Sequence, residues 1–264
     1  MGNLEDITYR VVRILGEVDL VAAEDTRRAQ KLLTHYGLSV PLASCHQHSS
    51  CQRIEELVSA LLAGKSIALL SDAGTPTVSD PGLSLVRAAL AKGIEVDPLP
   101  GPCAAITALS ASGFPLATFS FQGFLPRKGR EKAVSALAAI EETIVFYESP
   151  RRIAALLVLL EKHLPQREVL LARELTKIHQ QLLRGKPGEL LNRVREEKLE
   201  RGEYTVVLGP GVQAPPPDED SVLAAAQGYL AKKMSARDVA DRLSAETGLS
   251  RRQVYAILHK KKEL

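Results

Sequence analysis

The chain has 264 residues, 45% of them apolar, and 34 Lys and Arg against 31 Asp and Glu. That is length enough for two domains and a large core, and the formal charge of +3 is too mild to imply a nucleic-acid partner by itself. No apolar run approaches the ~20 residues needed to cross a membrane, and the acidic start Met1–Asp6 is not a signal peptide. Three cysteines argue against a disulfide framework and for a reducing compartment, so a cytoplasmic location is expected.

Asn3 is placed to cap a helix with Glu5 and Asp6 in its first turn. Ile7, Val11, Ile14, Leu15 and Val18 recur at helical spacing and mark its buried face. Leu20–Ala23 reads as a short strand that ends in Glu24, Asp25, Thr26, Arg27 and Arg28. A helix follows to Tyr36, and Gly37 stops it. Cys45, His46, His48 and Cys51 crowd four candidate ligands together without the two spaced pairs of a zinc finger. A polar loop without metal is expected there, leading into a helix over Arg53–Ala63. Gly64-Lys65-Ser66 ends like a Walker A loop, but Ser59 stands where that motif needs its earlier Gly, and a strand follows instead of preceding. Nucleoside triphosphate binding is excluded on that ground.

Ile67–Leu70 is a buried strand, and after it the chain turns small and polar from Ser71 to Gly82. Helix Leu83–Ala91 follows. Ligands of open α/β sheets sit outside the carboxyl ends of strands. Asp, Gly, Thr and Pro leave backbone groups reachable there. An ordinary turn competes with a ligand loop, although twelve residues exceed most such connections. Ile94–Leu99 reads as a strand, Pro100-Gly101-Pro102-Cys103 as a turn, and Ala104–Ser112 as a helix. Two small loops at neighbouring strand ends suit one shared ligand.

Gly113-Phe114-Pro115 breaks this pattern, and a domain boundary is expected over Ala111–Leu116. Phe119–Phe124 is an aromatic strand, Pro126–Lys132 a basic loop and Ala133–Ile140 a helix. Strand Thr143–Tyr147, helix Arg151–Lys162, strand Val169–Ala172, helix Glu189–Lys198 and strand Tyr204–Leu208 continue the alternation. The fold class is therefore α/β with sheets covered on both faces. Gly209–Asp220, with three consecutive prolines, reads as a linker. In the remainder, Ser235 caps Ala236–Thr247, Gly248 turns the chain and Ser250 caps Arg251–Lys262. Val239, Ala240 and Leu243 would face Val254, Tyr255 and Leu258, as in a helix-turn-helix. Arg251, Arg252, Lys260, Lys261 and Lys262 suit a recognition helix and equally a solvated terminal helix.

Several segments together resemble the tetrapyrrole methylase superfamily, and within it the branch that methylates small-subunit rRNA. They are Gly2–Thr8, Ala23–Arg28, Ser71–Pro76, Ser79–Gly82, Pro100–Pro102, Gly123–Pro126, Phe146–Arg152, Arg173–Lys177 and Gly202–Tyr204, in family order and spacing. The resemblance implies two α/β domains, 1–113 and 114–210, with S-adenosylmethionine in the cleft between them. A linker at 211–220 and a helical piece at 221–264 complete the chain. It also implies a homodimer and does not imply a metal; no membrane and no metal are expected. Its cofactor contacts fall on Ser71, Asp72, Ala73, Gly74, Thr75 and Pro76 of the first loop, and on Pro100, Gly101, Cys103 and Ala104 of the second. Tyr147, Glu148 and Thr176 complete them from the second domain. The family begins with a strand and a Thr-Pro-Ile-Gly-Asn loop, and this sequence starts at that Gly, with Met1 at the Ile position. If the chain is complete as given, a weaker first domain and lower cofactor affinity are expected.

The activity implied is methyl transfer to a cytidine ribose 2′-hydroxyl of 16S rRNA in the small ribosomal subunit. Positioning supplies much of such a rate, and a general base helps remove the hydroxyl proton. Glu24, Asp25, Glu148 and Lys177 stand at strand ends as candidates. Arg27, Arg28, Arg127, Lys128, Arg130, Arg151 and Arg152 are candidate RNA contacts, each with the alternative of a solvated charge. Asp72 and Asp80 are expected to shape the loop or hold cofactor more than to do chemistry. A tetrapyrrole C-methyltransferase and a ligand-sensing helix-turn-helix DNA-binding regulator are the competing readings.

Overall fold

Thr8, and not Asn3, starts the first long helix. In the computed structural model, which describes residues 2–211, 219–231, 234–247 and 249–260, Asn3 caps only a 3-10 turn over Leu4–Asp6. Ile7 then takes an extended conformation, which ends that turn. The Thr8 hydroxyl accepts from the Val11 amide at 3.2 Å and opens α1, Tyr9–Glu17.

The first sheet is parallel, in the order β2-β1-β3, from β1 (Leu20–Ala23), β2 (Leu42–Ser44) and β3 (Ile67–Leu70). Alternation along β1 divides its core. Val21 and Ala23 pack with Leu15 of α1 and with Ala29 and Leu33 of α2 (Thr26–His35). Ala22 packs on the other face with Ile54, Leu57 and Val58 of α3 (Cys51–Leu62) and with Leu85 of α4 (Leu83–Ala91). Helices thus cover both faces, as a parallel sheet requires.

The expected strand Ile94–Leu99 does not form. Among the described residues β3 has β1 as its sole ladder partner, and Val96 is 41% exposed. Ile94 and Val96 carry β propensity, but Pro98 has no N–H to donate, and no neighbouring strand offers the segment a ladder. Extended sequence without a partner strand is only extended sequence.

The second sheet has the order β4-β5-β8-β6-β7, with β4 (Phe119–Phe124) parallel to β5 (Thr143–Glu148). The pairings among β5, β8 (Tyr204–Leu208), β6 (Val169–Arg173) and β7 (Gln181–Gly185) are antiparallel. Sequence reading gave no signal for β2 and β7. Ile144 and Phe146 face a large core closed by α6 (Arg130–Ala136), α7 (Ile153–His163) and α8 (Pro187–Glu196). Val145, Leu170, Ala172 and Val207 face α5 (Ala104–Ser110). Arg167 is buried beneath this sheet and donates to the carbonyls of Gly209 (2.6 Å), Leu137 (2.8 Å) and Glu142 (2.7 Å).

Residues 1–211 make one compact unit and 212–264 another. The second holds α9 (Glu219–Ala231), α10 (Ala236–Thr247) and α11 (Arg251–Lys260). Val222, Ala226, Val239, Ala240, Leu243, Val254 and Ile257 form its core. Ser235 and Ser250 accept from the amides of Asp238 (3.2 Å) and Gln253 (3.3 Å), as N-caps do. Gly248, Lys261, Lys262, most of the prolyl linker and the Leu258 side chain lie outside the described residues.

Candidate functional site

The ends of β1 and β3 converge on the small loop after β3. The Glu24 amide, just past β1, donates to the Leu70 carbonyl at 3.2 Å. The Asp25 amide donates to Asp72 Oδ1 at 3.0 Å, and Arg28 pairs with Asp72 Oδ2 at 3.2 Å. Asp72 is therefore a bracket between the ends of β1 and β3. Within the loop, the buried Ser71 hydroxyl donates to the Gly74 carbonyl at 3.3 Å. The Thr75 hydroxyl donates to the Pro102 carbonyl at 3.3 Å, which ties this loop to the Pro100–Cys103 turn. The two loops expected to share a ligand do meet.

This geometry is held under strain. Thr77 (φ 71°) and Ser79 (φ 62°) both lie in the left-handed region, which side chains other than Gly rarely adopt. The Thr77 amide closes the turn by donating to the Pro81 carbonyl at 3.3 Å. Gly82 (φ 120°) then starts α4, where an added Cβ would lie 2.5 Å from Leu69 Cδ2. At that backbone angle a glycine is favoured, and any side chain would also press on Leu69.

Asp80 is half-buried at the fold of this loop. Burial, then the charges of Glu24 and Asp72, push its carboxyl up to about 6. From the second sheet, Tyr147 stands near Cys103 and the Ala105 amide. Burial first, then Cys103, pushes its phenol up to about 12. Its ring packs edge-on against Phe121 (centroids 5.3 Å apart) and tilted against Phe124 (5.4 Å).

The candidate bases divide. Asp25 caps α2 through the Arg27 amide at 2.9 Å and grips the Arg27 guanidinium at 2.7 and 3.0 Å. Those bonds hold its carboxyl far below the usual range, where it is a poor proton acceptor. The Glu148 side chain is fully enclosed, between Arg130 and Arg152 (2.7 Å), and also accepts from the Ser149 amide at 2.7 Å. Its oxygens are committed to structure. Lys177 reaches Glu174 and Glu203, each at 2.9 Å. Burial works to lower its pKa, but the two carboxylates outweigh that and raise it, so it stays charged. Glu24 keeps a single long contact, from the Asp72 amide at 3.5 Å. Glu24 and Asp80 are the carboxylates left on this loop pair, although from sequence Asp80 is expected to shape the loop or hold cofactor more than to do chemistry.

Thr176 sits in a second strained loop, at φ 63°, beside Glu174 at 49°. Its hydroxyl donates to Asp6 Oδ2 at 2.6 Å, and Asn3 donates to its carbonyl at 2.9 Å. It joins the N-terminal segment to the second sheet. Of the candidate RNA contacts, Arg127, Lys128 and Arg151 are exposed. Arg27 and Arg28 are exposed but ion-paired, while Arg130 and Arg152 are committed to Glu148.

The sequence profile of the tetrapyrrole (corrin/porphyrin) methylases matches residues 1–191. The chain belongs to this methylase family. Curated relatives named ribosomal RNA small subunit methyltransferase I are similar over most of the chain. The protein of Halalkalibacterium halodurans is 38% identical over 98% of this chain and 92% of its own. That of Thermotoga maritima is 47% identical over 79% and 94%, and that of Escherichia coli O157:H7 45% over 89% and 85%. Among solved structures, the methyltransferase CobJ superposes with a TM-score of 0.57 at 21% identity, over 80% of this chain and 91% of its own. The uroporphyrin-III C-methyl transferase of Thermus thermophilus, complexed with S-adenyl homocysteine, gives 0.52 at 20% identity over 79% and 93%. At such identity these two establish the shared fold. Among the described residues, no helix is long and apolar enough to cross a membrane.

Proposed function

We propose that this chain is an S-adenosylmethionine-dependent rRNA methyltransferase, acting on a cytidine ribose 2′-hydroxyl of small-subunit 16S rRNA. The observation that carries the reading is the 38% identity, over 98% of the chain, to a relative named for ribosomal RNA small-subunit methylation. The tetrapyrrole enzymes are more distant, with CobJ at 21% identity and uroporphyrin-III C-methyl transferase at 20%. Family membership also disfavours a DNA-binding regulator.

The paired loops fit the cofactor. They offer backbone amides among small side chains, and a Cβ at exposed Gly101 would meet nothing within 4 Å. The carboxylates of Asp72, Asp80 and Glu24 give the loop a negative field suited to a sulfonium. When bound there, S-adenosylmethionine supplies an already activated methyl group. Ser71–Pro76 and Pro100–Ala104 would hold it, with Tyr147 contributing from the second sheet. The protein aligns the hydroxyl and excludes water, while Glu24 and Asp80 are the carboxylates placed to take up the hydroxyl proton. Arg127, Lys128 and Arg151 hold RNA phosphates, and the family's homodimer is the assembly that binds the subunit.

Tritium transfer from labelled S-adenosylmethionine to small subunits lacking the modification tests this reading. Label in a 2′-O-methylcytidine after digestion supports it. No label in RNA, with the cofactor demonstrably bound, overturns it, and label in uroporphyrinogen instead would install the tetrapyrrole alternative.

A further inference from the structure

We propose that Phe124 is the platform on which the base of the target nucleotide stacks. The inference rests on the rRNA methyltransferase reading and assigns one positioning residue to it. It starts from an irregularity in β4. Along that strand Phe121 pairs with Val145, and Phe124 with Tyr147. The chain thus advances three residues on β4 for two on β5, so β4 carries one extra residue. In a regular strand, residues three apart point to opposite faces. The bulge cancels that alternation and turns Phe124 onto the face of Phe121, where both rings meet Tyr147. A bulge of this kind is a device for re-aiming a side chain.

The face it turns to is the one that matters. Tyr147 and Phe121 pack against the same buried cluster as Cys103 and Ala104 of the second cofactor loop, and Tyr147 stands near Cys103. Gly123 (φ 60°) makes the bulge, and a Cβ on it would come within 3.1 Å of Ser79 Oγ in the first loop. Phe124 therefore stands beside both loops. Phe121 and Tyr147 are largely covered, but the Phe124 ring is 56% exposed. Burial does not account for a bulge that turns an aromatic ring beside these loops and leaves it 56% exposed. Arg127 and Lys128 follow three and four residues later, both exposed. An open aromatic face followed by cations is what an unstacked nucleotide needs, the ring for its base and the charges for its phosphates.

The test compares the full chain with Phe124→Leu and Phe124→Trp. It measures kcat and KM for methylation of unmodified small subunits, and the affinity for S-adenosylmethionine alone. Phe124→Leu is expected to lower kcat/KM for the RNA by about tenfold, within the roughly five- to 150-fold range of a lost base stack. Cofactor affinity and melting temperature should hold, and Phe124→Trp should keep activity within a few-fold. The proposal is overturned if Leu retains full kcat/KM, if Leu and Trp lose it equally, or if cofactor affinity falls in step. If the unsubstituted chain transfers no methyl to RNA, the functional reading fails first and this inference with it.

Discussion

Asp80 stores a charge penalty in the loop after β3, and neutralising it should stabilise the protein. Its carboxyl titrates at about 6 against an ordinary 3.8, through burial and the neighbouring charges of Glu24 and Asp72. The folded state therefore binds the proton more tightly than the unfolded chain does. Stability falls as pH rises from near 3.8 through about 6, and the whole penalty is present above that. About two pKa units correspond to about 3 kcal/mol. The side chain is half-exposed, so screening reduces this to about 1 kcal/mol. Asp80→Asn keeps the shape and removes the charge. It should raise the melting temperature at pH 8 by about 2–4 °C, with a smaller gain at about pH 4.5, where the wild-type carboxyl is already mostly protonated. Thermal melts of both proteins across that range are the assay. A lower melting temperature for the variant at pH 8, or an equal gain at both pH values, would refute the argument.

Arg167→Met should lower the melting temperature by about 6–12 °C, because two buried carbonyls and one half-buried carbonyl lose their shared donor at about 3 kcal/mol or more; calorimetry checks it. Glu148→Gln leaves Arg130 and Arg152 without their buried counter-charge and should cost about 3–5 kcal/mol. Denaturant midpoints, little changed by salt for so enclosed a pair, measure the loss. Gly82→Ala drives a methyl into Leu69 at a backbone angle that L-residues avoid. It should cost about 2 kcal/mol or more and weaken S-adenosylmethionine binding, read by titration calorimetry. Unchanged affinity would mean that the loop after β3 does not hold the cofactor.

What the sequence made legible was whatever is local or periodic. The apolar runs of β1, β3, β5, β6 and β8 announce themselves, as do the serine caps of α10 and α11. The missing strand at Ile94–Leu99 failed for a non-local reason, since β propensity yields a strand only where a ladder partner exists. Asn3 and Thr8 are both good caps, and the extended conformation of Ile7 decided between them. Glu148 looked like a strand-end base because its partner Arg130 lies far off in sequence. A basic loop gave no hint that one of its arginines turns inward. The β4 bulge did leave a sign, a Gly inside a strand pattern at position 123.

The strained residues connect these points. Among the described residues, five side chains other than Gly take a positive φ: Thr77, Ser79, Glu174, Thr176 and Lys198. Four of the five fall in two loops, the one after β3 and the one after β6. Conformations of this kind cost about 1–3 kcal/mol each and persist only where the surroundings over-determine them. Here the surroundings are visible. Thr77 is closed by the Pro81 carbonyl, and Thr176 is held by Asp6, Asn3 and Gln180. The first loop touches the second sheet at Gly123, and the other touches the N-terminal segment through Thr176. Each strained loop therefore bridges two parts of the first unit, where a small movement changes the distance between them. A cofactor held between those parts would meet a backbone already fixed in its binding shape, with little left to order on binding. The raised carboxyl of Asp80, flanked by Ser79, belongs to the same arrangement: strain and buried charge are concentrated where the ligand's own contacts can offset them.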